Sequence, residues 1–66
     1  MKKLNISINT KILEALKLMT KIGEKSLVVS DKNKTLLGIL SDGDCRKAIL
    51  KGVNLNENIS KYYNKN

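Results

Sequence analysis

The stretch "GILSDGDCRKA", Gly38 through Ala48, decides how this chain is read. An apolar, β-branched run stops at Ser41, two acids flank a glycine at Asp42-Gly43-Asp44, and an apolar and basic helical pattern follows. That is a strand handing over to a helix. Ser41 and Asp44 stand three apart, the spacing of a capping residue and an acid in the first helical turn. The unpaired amides of a helix start, together with the helix dipole, also favour an anion. Three uses of the stretch stay open at this level. A phosphate can sit on the amides with the Ser41 hydroxyl donating to it, Arg46 adding charge-assisted bonds, while the two oxygens of Asp44 accept from the adjacent hydroxyls of a ribose. Asp42 and Asp44 can act as paired carboxylates for Mg²⁺, although side chains diverge around a helix start and no third acid lies nearby. Or the acids only cap the helix. None of the three provides a base, a nucleophile or a histidine, so the expectation is a chain that is not an enzyme, with no catalytic and no metal-ligating residues.

Outward from this stretch the chain alternates short apolar runs with helical periodicity. "LNISI", 4–8, has the period-2 pattern of a half-buried strand. Asn9 and Thr10 are expected to cap the next element. From Ile12 the residues Ile12, Ala15, Leu16, Met19 and Ile22 share one helical face, with Glu14 placed to pair with Lys17. Leu13 and Leu18 widen that stripe beyond the needs of one small sheet, and Gly23 ends the helix. "SLVVS", 26–30, and "TLLGILS", 35–41, are strands joined through "DKNK", 31–34, as a hairpin. Gly38 inside the second marks a bulge or a place where another group nears the backbone. A helix over about 44–51 carries Cys45, Ala48 and Ile49 on one side, with Lys47 and Lys51 facing away, and Gly52 closes it. The remainder, "VNLNENISKYYNKN", reads as a polar connector with Leu55 and Ile59 as isolated anchors and one possible helical turn. The fold class is therefore α/β in the α+β sense, in the order β-α-β-β-α.

Size and composition bound the rest. Sixty-six residues make one small domain that buries only about 60% of its unfolded surface. The only aromatics are Tyr62 and Tyr63, so the core is aliphatic. The single cysteine, Cys45, allows no internal disulfide and reads as a small buried filler. A partner surface is the expected remedy for so small a core. The net charge of +7 comes from thirteen bases, all but one of them lysine and dispersed along the chain. That is the pattern of a solvated face rather than an arginine-rich nucleic-acid surface, and the folded part has no aromatic for base stacking. No run approaches the roughly 20 apolar residues of a membrane span. With no secretory signal and a lone thiol, the expected compartment is the cytoplasm.

Taken in order, "ILEALKLMTKIGEKSLVVSDKNKTLLGILSDGDCRKAI" resembles a CBS motif, the small module named after cystathionine β-synthase. The resemblance spans about residues 4–59. Its most specific part is Gly38-Ile39-Leu40-Ser41-Asp42-Gly43-Asp44, similar to the family's glycine, two apolar residues, Ser or Thr, two variable residues and Asp. Met19, followed by a glycine and a polar pair before "LVV", also fits. The resemblance implies a regulatory module that senses adenosine-type nucleotides and needs no cofactor beyond AMP, ADP or ATP as a regulatory ligand. By that likeness Ser41 contacts phosphate and Asp44 the ribose hydroxyls, with Gly38 and Arg46 beside them. Adenine lies against Ser7, Ile8, Lys25 and Ser26. Such motifs occur in tandem about a pseudo-twofold axis. Residues 1–59 then form a single motif resembling the first half of a pair, and 60–66 begin a linker to a second. A homodimer would serve the same end and bury Leu13 and Leu18. The variant "LSDGDCRKA" looks like bacterial motifs attached to sugar-nucleotide transferases and sugar-phosphate isomerases. The alternative is a structural dimerisation module with no working ligand site. No nucleic acid and no membrane is expected as a partner.

Overall fold

The amphipathic run from Ile12 forms the longest element because its apolar spacing matches one helical face and nothing within it breaks a helix. In the computed structural model, which describes residues 4–65, it is α1, Ile12–Ile22, with Ile12, Ala15 and Met19 buried. It crosses between β1, Asn5–Ser7, and β2, Ser26–Ser30, which pair in parallel. Parallel neighbours need such a crossover. β2 and β3, Leu36–Ser41, form the expected antiparallel hairpin. α2, Asp42–Leu50, follows β3 with no intervening loop.

One apolar cluster lies between the sheet and both helices. Ile6, Leu27, Val29 and Leu40 from the strands meet Ile12, Ala15, Met19, Cys45 and Ala48 from the helices. Both helices thus cover the same face. Cys45 is fully buried and acts as the small filler that its position suggested. The opposite face presents Ile39, 40% exposed, beside the half-buried Val28.

Several details differ from the expectations. α2 begins at Asp42, not near residue 44, because the capping residue is Ser41 itself. Ile49 is largely exposed rather than on the buried side, and Leu50 is 81% exposed. Leu18 rests against the core, while Leu13 stays at its margin. Neither Asn9 nor Thr10 caps α1. Lys11 occupies that place in an extended conformation, and the Glu14 carboxylate accepts from its amide at 3.1 Å. Lysine has no acceptor to return a bond, so the first α1 amides look elsewhere.

They find the segment after α2. The Ile12 amide donates to the Glu57 carbonyl at 2.9 Å and the Leu13 amide to the Leu55 carbonyl at 3.1 Å. In return the Ile59 amide donates to the Thr10 carbonyl at 2.8 Å. Ile59 itself is fully buried, at the head of a 3₁₀ turn, Ile59–Lys61. The chain then adds β4, Asn64–Lys65, antiparallel to β3 at Gly38 and Ile39. The sheet order is β1-β2-β3-β4. Residues expected to be a polar connector are therefore an integral part of the packing. Val53, Leu55, Tyr62 and Tyr63 rest against the core around it. The sequence conceals this because these apolar residues are scattered through a polar segment and carry no periodicity.

Both helices end as their glycines suggest. At α2 the Val53 amide returns to the Ala48 carbonyl and the Gly52 amide to Ile49, with Gly52 at φ +83°. This double closure needs a left-handed residue, which glycine adopts without steric cost.

Candidate functional site

The junction of β3 and α2 is held from both sides. The Ser41 hydroxyl accepts from the Asp44 amide at 3.0 Å, and Asp44 Oδ2 accepts from the Ser41 amide at 2.9 Å. This reciprocal capping box satisfies two amides that the helix start would leave unpaired. A third, from Asp42, donates to the Lys25 carbonyl at 2.8 Å. The anion cradle suggested by the sequence is thus partly used by the protein's own groups. The site keeps an open side: Gly43 is exposed, Ser41 and Asp44 are partly exposed, and the Ser41 hydroxyl still has a proton to donate.

The two acids do not converge. Asp42 Oδ2 pairs with Arg46 at 3.1 Å, one helical turn on. Asp44 turns back to Ser41. Among the described residues no group of three His, Cys, Asp or Glu side chains comes together. The Arg46 side chain is 71% exposed, so its pairing with Asp42 contributes little to stability.

Tertiary structure brings some of the sequence-derived residues together and separates others. Lys25 and Ser26 lie beside Ser41, since Ser26 is its cross-strand partner. Gly38 sits three residues before Ser41 on β3. Ser7 and Ile8 are elsewhere. They neighbour Ser30, at the far end of β2 from Ser26. Four strand steps between those ends amount to roughly 13 Å. The Ser7 hydroxyl accepts from the Asn9 amide at 3.1 Å. Ser7 also lines an open cleft of ≈ 450 Å³ with Asn5, Ile6, Ser30, Asp31, Lys32 and Lys34. A single copy therefore does not unite all eight residues.

The site contains one residue that the sequence reading missed. Asn64 Nδ2 reaches both oxygens of Asp44, at 3.2 Å to Oδ2 and 3.4 Å to Oδ1. The carboxylate fixes the amide's orientation, because its oxygen turned inward would face negative charge. Gly38 makes this approach possible. A Cβ there would overlap the Asn64 carbonyl and press on the Tyr63 ring. Register with β2 also slips just beyond this glycine, between Val29 and Ser30. Gly38 in the sequence signalled that something comes close, but nothing local named Asn64, twenty residues beyond Asp44.

Cys45 lies directly beneath this junction. Burial pushes its thiol up to about 11, and the Asp44 and Asp42 carboxylates push in the same direction. It remains a neutral packing group at physiological pH.

The pattern of the CBS domain family matches residues 2–51. No curated protein matches the chain. Among solved structures, an uncharacterized conserved protein from Pyrococcus horikoshii is 25% identical with a TM-score of 0.88, over 97% of this chain and 49% of that one. The CBS domain pair of protein MJ0100, in complex with 5′-methylthioadenosine and S-adenosyl-L-methionine, is 25% identical with a TM-score of 0.83, over 97% and 51%. A CBS domain protein from Pyrobaculum aerophilum, complexed with AMP, shares the fold at 15% identity and a TM-score of 0.90, over 98% and 51%. The chain spans about half the length of each of these. It belongs to the CBS domain family and consists of a single motif.

Proposed function

We propose that this CBS motif is one half of a regulatory module that binds an adenosine-type nucleotide and acts on an attached or partner domain rather than by catalysis. The observation that carries this reading is the Asp44 carboxylate, partly exposed at a strand–helix junction and held in place by the Ser41 amide. It offers two acceptor oxygens at a fixed distance from a hydroxyl and an amide that suit a phosphate. Solved relatives in complex with AMP and with methylthioadenosine and S-adenosylmethionine support the ligand class. Ser41, Asp44, Arg46 and Gly38 then form the ribose and phosphate end, with Lys25 and Ser26 beside it.

The half-length match supports pairing with a second motif, either in a longer chain through residues 60–66 or as a homodimer. A twofold axis across the strands would bring the Ser7–Ile8 end of one motif to the Asp44 end of the other. The eight residues would then form composite sites. A ligand that bridges the two motifs changes output only by its different affinity for the two arrangements of the pair. The partner domain is a sugar-nucleotide transferase or sugar-phosphate isomerase, by the likeness of residues 40–48. The compartment is a reducing one, the cytoplasm, in keeping with a single buried thiol.

A structural dimerisation module without a working site is the second reading. It is favoured by the closure of the Ser41–Asp44 capping box, which gives both residues a use with no ligand at all. A thermal-shift series separates the two, using AMP, ADP, ATP, S-adenosylmethionine and cytidine and guanosine nucleotides on the parent, Asp44→Asn and Asp44→Ala. The amide oxygen of Asp44→Asn still accepts from the Ser41 amide, so the cap survives while the carboxylate is lost. Ligand at a hundredfold its Kd stabilises the parent by about 2.7 kcal/mol. That gain disappears in Asp44→Asn if the sensor reading holds. No gain for any nucleotide, with a lowered baseline only in Asp44→Ala, leaves the structural reading.

A further inference from the structure

We infer that Asn64 is a built-in competitor for the ribose position, so that β4 latches the Asp44 site in the ligand-free chain. This rests on the sensor reading above. The single nitrogen Nδ2 of Asn64 is shared between the two Asp44 oxygens, at 3.2 and 3.4 Å, and so spans the pair of acceptors that a vicinal diol would take. The carboxylate's remaining acceptor positions are few, because Oδ2 already receives the Ser41 amide. Amide and diol therefore compete for the same lone pairs.

The latch is held lightly. β4 is two residues long, both exposed, and sits at the edge of the sheet. Its place over β3 depends on Gly38, whose missing side chain admits the Asn64 backbone. Below Asn64 the segment is anchored firmly by buried Ile59. The release therefore involves only the last few described residues, or the Asn64 side chain alone. A nucleotide that takes Asp44 frees the end of β4, and any domain joined there receives a mechanical signal from the site.

The test is AMP and adenosine titration by calorimetry on the parent and on Asn64→Ala, with the Asn64 side-chain amide followed by NMR. Truncating one exposed side chain leaves the fold intact. Removing a hydrogen-bonding competitor raises affinity by about 2- to 10-fold. In the parent, AMP moves the Asn64 amide resonances toward those of a solvated asparagine. Tighter binding by Asn64→Ala, or binding by the variant alone, supports the latch. Equal or weaker binding by the variant, with the parent binding normally, overturns the latch and leaves the sensor reading intact. Absence of binding to both chains at millimolar AMP overturns the sensor reading and the latch with it.

Discussion

Replacing Ile59 by alanine tests whether the segment after α2 is part of the fold. Ile59 is fully buried within the same cluster as Leu27, Leu40 and Ile12. The substitution removes Cγ1, Cγ2 and Cδ1. At about 0.8 kcal/mol per buried carbon, the lost transfer energy is about 2.4 kcal/mol. A cavity that fails to collapse adds to this, for a total of roughly 2.5–4.5 kcal/mol. A domain of this length at about 0.05–0.15 kcal/mol per residue holds only about 3–10 kcal/mol in all. The variant thus loses a large fraction of its stability, and its Tm falls by about 10–30 °C. Urea unfolding followed by circular dichroism measures the loss. Hydrogen exchange locates it, since the Ile12 and Leu13 amides donate to Glu57 and Leu55 carbonyls on the same segment. Those two amides should lose protection along with the whole domain. A loss below about 1 kcal/mol, with Ile12 and Leu13 still protected, would return the segment from Val53 onward to the role of a loose connector.

Two further outcomes follow from the backbone and from the buried thiol. Lys34 holds a left-handed conformation, φ 65°, at the end of the turn in which Asp31 accepts from the Asn33 and Thr35 amides. Lys34→Gly should relieve that cost and stabilise the chain by about 0.5–1 kcal/mol, read as a rise in urea midpoint; a fall would mean the lysine side chain contributes more than the backbone loses. Cys45 binds its proton more tightly in the folded chain, raised from its ordinary value near 9.0 to about 11. Its contribution to stability is therefore constant below pH 9 and declines as pH rises from 9 towards 11, because the unfolded thiol ionises first. The stability difference between the parent and Cys45→Ala, measured across that range, should shift against the parent as pH rises. A difference that stays flat would show the thiol to be accessible to solvent.

Much of the candidate site is legible in the order of residues. Ser41 and Asp44 are close in sequence, and their roles at a helix start follow from local spacing. The hairpin that places Ser26 beside Ser41 follows from two apolar runs and a turn rich in Asp and Asn. Cys45 and Ala48 face the core as their spacing requires, yet Ile49, read on the same side, does not. A short helix on a narrow sheet has room for a thinner stripe than periodicity allows. The start of α1 departs from its local signals for a different reason. Asn9 and Thr10 have the right chemistry, but carbonyls from Leu55 and Glu57 take the amides instead.

Near neighbours carry the elements from β1 to α2, the two glycine closures and the capping box. Periodicity and short-range hydrogen bonds encode these directly. Tertiary structure alone decided which distant groups meet. It placed Ser7 and Ile8 at the opposite end of β2 from Asp44, because a parallel strand runs away from the hairpin end that carries the helix. It also folded Ile59 into the core and set Asn64 on Asp44. No local pattern announces either contact, since each depends on a single side chain, and the second depends also on the space that Gly38 leaves open.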